Sequence, residues 1–440
     1  MTTENKNIIT RFMKSASKVE SNEIKAVVLS FSFAFTLMAS YYILRPIRDA
    51  MASDWSDAEL STLFTATFVF SFVVVALYGA ACSRIRIGRL VPGIYGLFAL
   101  SFFGFYLAIQ ASPDTPINSK VFYVWISIFS LFNVSVFWSF MADIFNKEQA
   151  RRLFGFIASG SSIGALIGPL LALTLVGRVG KGNLLLISTV LLLVPMIIIG
   201  WLEQIKHTEL HNEELNAEQD YQQTLGSNPL AGFMLFVRNP YLLGIGIFIL
   251  LYTAISTLVY FELKNLMAGL DESTRTQIWA GMDLAVNILT IGTAMFFTSR
   301  LATRFGLAVT LAFVPVIIFA GLLVVAMAPM IWVVVALQVV RRAGNYGITR
   351  PGREMLFTAV DRESRFKAKS VIDIVVYRGG DMITAWAFTG LTQGLGLGLG
   401  AVAFVGTLIA GVWAFVGHSL GRNYDQSHGE TSSSEPAEVT

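Results

Sequence analysis

The sequence predicts an all-α membrane protein with twelve transmembrane helices in two pseudo-symmetric six-helix halves. Three observations predict it. Of 440 residues, 54% are hydrophobic and only 14% are charged, with a mean hydropathy of +0.63, whereas soluble domains carry about 25% charged residues. The apolar residues gather into twelve runs of about 20, the length that crosses roughly 30 Å of hydrocarbon. None of the runs alternates in polarity, as the strands of a membrane barrel do. This excludes an ordinary cytosolic enzyme, a disordered chain and a nucleic-acid binder. The net charge of +3 is too small to imply a polyanionic partner.

Each element has its own justification. Residues 1–25 are polar and basic, and no small-residue cleavage site follows the first run, 26–44, so it reads as a retained helix rather than a signal peptide. The other runs of the N-terminal bundle, 26–202, lie at 59–81, 88–110, 120–142, 153–176 and 183–202. Those of the C-terminal bundle, 240–417, lie at 240–261, 276–298, 305–327, 330–349, 370–391 and 396–417. The linker 203–239 holds six acidic residues and reads as a solvated, partly amphipathic stretch. His207 and His211 share a helix face there, but no third metal ligand is indicated. Residues 418–440 read as a cytoplasmic disordered tail. The single cysteine, Cys82, permits neither an intrachain disulfide nor a thiolate metal cluster.

With both termini inside, the cytoplasmic segments hold 20 of the 32 lysines and arginines and the opposite segments hold seven. That asymmetry orients the chain with both ends in the cytoplasm, and a bacterial inner membrane is the expected host. The halves carry a faint repeat. Asn146-Lys147-Glu148 with Arg152 recurs 215 residues later as Asp361-Arg362-Glu363 with Lys367, and Ser83-Arg84 recurs as Ser299-Arg300. Two six-helix halves with a pathway between them form the architecture of a rocking secondary transporter.

Charges buried at membrane depth need a partner or a watery cavity, which makes them the candidates for function. The first run leads into Tyr41-Tyr42-Ile43-Leu44-Arg45-Pro46-Ile47-Arg48-Asp49, where Pro46 removes a backbone donor and turns Arg45 and Arg48 from lipid. Arg45 could equally snorkel to the interface, and Asp49 could neutralise Arg48 locally. The eighth run places Asp283 and Asn287 four apart. The tenth places Arg341 and Arg342 about eleven residues in, some 17 Å deep at a rise of 1.5 Å per residue. Arg341 shares a face with Asn345 and with Gln338 one turn earlier. The eleventh sets Arg378 and Asp381 three apart, with Asp373 and Tyr377 on the turns below. These charges either pair between helices merely to hold the bundle or line a shared polar cavity. Gly160, Gly164 and Gly168 recur every four residues ahead of Pro169, a flat edge for close helix packing, either static or at a moving seam. Gly394, Gly396, Gly398 and Gly400 read as an external turn rather than a phosphate cradle.

The stretch Tyr41–Asp49 resembles the first-helix signature of the nucleotide transporter family, the ATP/ADP exchangers of plastids and intracellular bacteria and their bacterial relatives. Phe137-Trp138-Ser139-Phe140-Met141-Ala142-Asp143 is similar to that family's fourth-helix motif. Arg353-Glu354-Met355, then Asp361-Arg362-Glu363-Ser364 through Lys367-Ala368-Lys369 and Ile372-Asp373 into Arg378-Gly379, resembles its segment before and within helix eleven. The resemblance spans the membrane domain and implies a major-facilitator-type fold. It implies that Arg48 keeps a basic residue needed for transport and that Asp143 keeps an acidic one. The family's functional glutamate of helix seven falls near Tyr260, with Glu262 and Lys264 close by. Its functional lysine of helix eleven is replaced by Asp381, a reversal of sign that counts against adenine-nucleotide exchange.

The expected function is secondary transport of an anionic or zwitterionic metabolite by alternating access, with proton coupling as an option. Tyr42, Arg45, Arg48, Arg341, Asn345 and Arg378 are the candidate substrate-binding residues, because arginine's planar fork binds two anionic oxygens and keeps its proton. Asp143, Asp283 and Asp381 are the candidate coupling residues, because desolvation favours the neutral form of a carboxyl. The alternatives are an ATP/ADP-type antiporter, which needs internal counter-substrate, and a non-transporting receptor or scaffold. The expected partners are the small-molecule substrate, possible nucleotide or protons, and the lipid bilayer, with no nucleic acid, cofactor or metal. No nucleophile motif or Walker loop supports an enzyme.

Overall fold

The computed structural model describes residues 19–82, 84–85, 87–112, 115–210, 231–360 and 371–433. The block Asp361–Lys369, most of the linker with His211, and both chain ends lie outside these residues, as does Ser83. All regular structure among the described residues is helical: α1 Ile24–Met51, α2 Asp57–Cys82, α3 Ile87–Ala111, α4 Pro116–Ile144, α5 Lys147–Thr208, α6 Ala231–Arg238, α7 Pro240–Leu266, α8 Glu272–Phe296, α9 Thr298–Met327, α10 Ile331–Gly344, α11 Arg350–Leu356, α12 Tyr377–Thr389 and α13 Leu399–Ser433. Three π-helical turns, Asn345–Thr349, Val371–Val376 and Gly390–Gly394, interrupt the tenth and eleventh spans.

Each of the twelve apolar runs is mostly helical, yet among the described residues only eight helices are long and apolar enough to cross a membrane unaided. The difference has local causes. α5 joins two spans around Gly180, whose φ of 75° suits glycine. α8 opens on Glu272-Ser273-Thr274-Arg275 and contains Asp283. The tenth and eleventh spans are split by the π turns. In the tenth, Pro351 has no N–H for the carbonyl of Gly347, four residues back, and the Thr298 hydroxyl of α9 donates to that carbonyl instead. The Arg350 amide reaches back five residues to Asn345.

Helix starts follow the expected chemistry. Asn146 and Gln149 form a reciprocal capping box, with Gln149 N–H to Asn146 Oδ1 at 2.9 Å and Asn146 N–H to Gln149 Oε1 at 3.1 Å. The Asn239 side chain accepts from the amides of Tyr241 and Leu242, with Pro240 in the first turn of α7. Ahead of α8, Asp271 accepts from the Thr274 amide at 2.9 Å and hydroxyl at 2.6 Å. These bonds hold the exposed Asp271 carboxyl below its usual range. Gly306, at a φ of 78°, breaks α9, and Asp425 caps the fresh start by accepting from Leu307 N and Ala308 N, each at 3.1 Å.

The chain forms two compact units. The first comprises Met1–Met51, Val69–Thr224 and Asp271–Leu284, and the second Ala52–Phe68, Leu225–Leu270 and Ala285–Thr440. In the first unit α1 lies along α5 on the glycine edge. A Cβ at Gly160, Gly164 or Gly168 would strike a backbone carbonyl oxygen of Phe31, Phe35 or Ala39 respectively. Lipid tails are as apolar as leucine, so such close contact supplies the packing that drives helices together. Farther along α5, Ser188 and Ser40 exchange hydroxyl-to-carbonyl hydrogen bonds of 3.0 Å. Phe33 sits edge-on to Phe137 at 4.9 Å and to Tyr95 at 5.5 Å. The start of α8 joins this unit through Lys181–Glu272 at 2.8 Å.

The core of the second unit is α7, against which Phe248, Tyr252 and Trp413 group, with Phe261 and Phe388 at 5.0 Å. The segment Ala52–Phe68 joins it through a buried cluster. Lys264 pairs with Asp57 at 2.7 Å and donates to the Trp55 carbonyl at 2.8 Å. Asp57 also accepts from Asn265 at 3.0 Å and Thr392 at 2.7 Å. That satisfaction from several sides is what a buried ion pair needs to offset its desolvation.

Candidate functional site

In the second unit, α7, α10 and α12 bring their polar residues to one place. Arg341 on α10 is 3% exposed. Its Nε donates to Gln338 Oε1 at 3.0 Å, and its Nη1 donates to the Tyr252 hydroxyl at 3.3 Å. The guanidinium also lies 5.6 Å from the centre of the Tyr252 ring, which adds a cation–π attraction. Both hydrogen-bond partners are neutral, and among the described residues no carboxylate lies within salt-bridge distance of Arg341. The second ring of the site is Tyr377, 6.1 Å from Tyr252. On α12, one turn further, Asp381 accepts from the Thr257 hydroxyl at 3.0 Å and lies 3.9 Å from Arg378. Asn345, half-buried, opens the π turn directly after α10 and passes its backbone N–H to the Arg341 carbonyl.

The first unit holds a cluster of opposite character. Arg48 clasps Asp49 Oδ1 with Nε at 2.9 Å and Nη2 at 2.6 Å, and its Nη1 donates to Ser127 at 3.3 Å. Arg45 stands 3.7 Å from the other Asp49 oxygen and 3.9 Å from Asp283. Tyr123 and Tyr42 lie under the two guanidinium groups at 5.3 and 5.9 Å. Two cations and two anions are thus balanced within one buried group. The helix continues through Pro46 to Met51, and both arginines are largely buried rather than spread to an interface.

The structure therefore divides the residues singled out in the sequence. Tyr42, Arg45, Arg48 and Asp283 meet in the first unit, while Arg341, Arg378 and Asp381 meet in the second. Asp143 joins neither group and pairs with Lys206 at 2.8 Å, where α4 ends beside the last turns of α5. Arg353 and Asp373, which flank the undescribed block, come within 3.3 Å of each other. Sequence reasoning missed Tyr252 and Thr257. Both are neutral residues in an apolar run, and no charge at membrane depth marks them.

The Major Facilitator Superfamily model matches residues 30–359. This chain belongs to the Major Facilitator Superfamily. As a superfamily member it is a multi-pass secondary transporter working by alternating access rather than an enzyme. Solved structures agree on the fold. The nucleoside transporter NupG superposes with a TM-score of 0.64 at 15% identity, covering 91% of this chain and 99% of that one. A bacterial homologue of the human lysosomal transporter Spinster, in an inward-facing and unoccupied conformation, gives 0.60 at 15% identity over 93% and 99%. A bacterial homologue of the iron transporter ferroportin, in an inward-facing state, gives 0.61 at 13% identity over 92% and 100%. No curated protein sequence matches the chain.

Proposed function

We propose that this superfamily member moves an anionic or zwitterionic metabolite across a bacterial inner membrane, with both termini cytoplasmic, and that Arg341 binds the anionic group. One observation carries the reading: a guanidinium buried at membrane depth whose partners are the neutral Gln338 and Tyr252. Arginine does not give up its proton in proteins, and an uncompensated buried ion costs several kcal/mol. A substrate carboxylate or phosphate arriving there supplies the missing charge and fits the planar fork. Arg378 is the second cation, and the Tyr252 and Tyr377 rings form one wall. In the first unit Arg45 and Arg48 already face Asp49 and Asp283, which supports a role in holding α1, α4 and α8 together.

The bundles 26–202 and 240–417 are the rocking bodies of this proposal. The solved neighbours carry unlike cargoes at low identity, so they favour no substrate. The motif resemblance to ATP/ADP exchangers keeps nucleotides on the first panel to be tested, although Asp381 stands where those proteins have a lysine.

A thermal-shift screen of the purified protein against nucleotides, phosphorylated metabolites and organic acids tests the proposal. An anion present at about 100 times its dissociation constant stabilises the folded form by about 2.7 kcal/mol. That stabilisation is expected for the wild type and absent in Arg341→Ala. Equal stabilisation of both proteins by every hit would overturn the assignment of Arg341. Proteoliposomes then separate antiport from other coupling, since only an antiporter requires the counter-substrate inside.

A further inference from the structure

The carboxylates of the two polar clusters, with Asp57 and Asp143, each have a cation. Asp49 has Arg45 and Arg48, Asp283 has Arg45, Asp143 has Lys206, Asp57 has Lys264, and Asp381 has Arg378. Glu262 differs. It lies on α7, one turn before the helix ends, and is 1% exposed. Among the described residues neither of its carboxyl oxygens has a hydrogen-bond partner. Its neighbour in sequence, Lys264, is engaged by Asp57 and the Trp55 carbonyl.

Among the described residues no lysine or arginine forms an ion pair with Glu262, and its oxygens accept no hydrogen bond. From the Ala52–Phe68 segment come Asp54, Asp57 and Glu59, all acidic, while Phe64 packs on Tyr260 and Phe261 at 6.2 and 5.7 Å. From α12, Phe388 packs on Phe261 and Thr389 bonds to Ser61 at 2.8 Å. On α10, Arg341 stands level with Tyr252, nearly three turns away along α7. On α13, Gly406 lies against Leu258, and Gly417 and Leu420 lie against Phe248 and Gly244. His418 and Arg422 therefore sit toward the opposite end of α7.

A carboxylate buried among protein groups that donate no hydrogen bond to it costs several kcal/mol even after relaxation. One added proton removes that cost. We propose that Glu262 is a proton-binding site that couples this transporter to a proton gradient, an inference that rests on the transport reading above. In the conformation described here Glu262 carries the proton as a neutral carboxylic acid. When Ala52–Phe68 leaves the end of α7, breaking Asp57–Lys264, water reaches Glu262, its O–H bond breaks and the proton passes to water. The carboxylate left behind must take up a proton again before the segment can close.

Difference infrared spectroscopy of the purified protein tests the site without any substrate. The wild-type minus Glu262→Gln spectrum at neutral pH is expected to show the carbonyl stretch of a protonated carboxyl, shifted in heavy water. Glutamine has the shape of the protonated acid, so the variant should fold, and Glu262→Met provides a second neutral reference. Loss of the band in both variants supports the site, and superimposable spectra overturn it. In proteoliposomes, a compound from the thermal-shift screen should enter wild-type vesicles faster under an inward proton gradient and Glu262→Gln vesicles without that response. An identical response in both would overturn the coupling role. If no solute moves in either protein while the infrared band is present, the transport reading fails and the proton site stands.

Discussion

The arginines of the first unit and Arg341 of the second are equally out of place in a membrane, but their surroundings differ. Arg48 and Arg45 share Asp49, and Arg45 also reaches Asp283. Arg341 has a glutamine and a tyrosine. A buried arginine with carboxylates beside it is an internal strut. One hydrogen-bonded only to neutral groups has no carboxylate at salt-bridge distance among the described residues, and on the proposed reading an incoming anion fills that place. Burial alone does not mark a binding site. The charge balance around the buried group does.

The largest expected effect comes from Asp49→Asn, which leaves two guanidinium groups facing only Asp283. Removing one partner from a buried ion pair costs about 3–5 kcal/mol, so chemical denaturation in detergent should show a loss of that size. A loss below about 1 kcal/mol would mean that the first-unit arginines are solvated and available, and the contrast between the units would fail. Next is Arg341→Ala. Hydrogen bonds to charged groups contribute about 1.5–3 kcal/mol, which corresponds to anion binding weaker by about 10- to 100-fold in calorimetric titration. Gln338→Glu sharpens the same point by giving Arg341 the carboxylate that Asp49 gives Arg48. It should weaken anion binding by a similar factor and leave the melting temperature unchanged or higher.

Gly164→Ala probes the static character of the first unit. The added methyl meets the Phe35 carbonyl, and overpacking of this kind costs about 1–3 kcal/mol. A melting temperature equal to the wild type would show that α1 and α5 separate freely. The smallest effect is expected for Thr257→Val, which removes one hydrogen bond to Asp381. The expected loss is about 1.5 kcal/mol, the low end for a hydrogen bond to a charged group, and a much larger loss would reveal a tighter second-unit cluster than its 3.9 Å Arg378–Asp381 separation implies.

Much of this was legible in the order of the residues. The twelve spans follow from apolar run lengths, because the bilayer sets the length a helix must have. Arg341, Arg378, Asp283 and Asp381 stood out because a charge in such a run needs compensation. Arg378–Asp381 and Arg48–Asp49 were visible as near neighbours. The Asp57–Lys264 pair was not, since its members stand 207 positions apart in the chain. The glycine edge of α5 was legible as a packing surface, but its partner α1 was not. The bare state of Glu262 was also hidden, because it depends on where every nearby cation points.

Sequence alone determined the helical, multi-pass character of this protein and the short roster of charges that could matter in it. Both are local consequences of placing a polar backbone and ionised side chains in hydrocarbon. Only the tertiary structure decided which of those charges are neutralised and which are not. Neutralisation depends on distances of a few ångströms between segments far apart in the chain, and Coulomb and hydrogen-bond energies fall away too steeply with distance for composition or spacing to stand in for them.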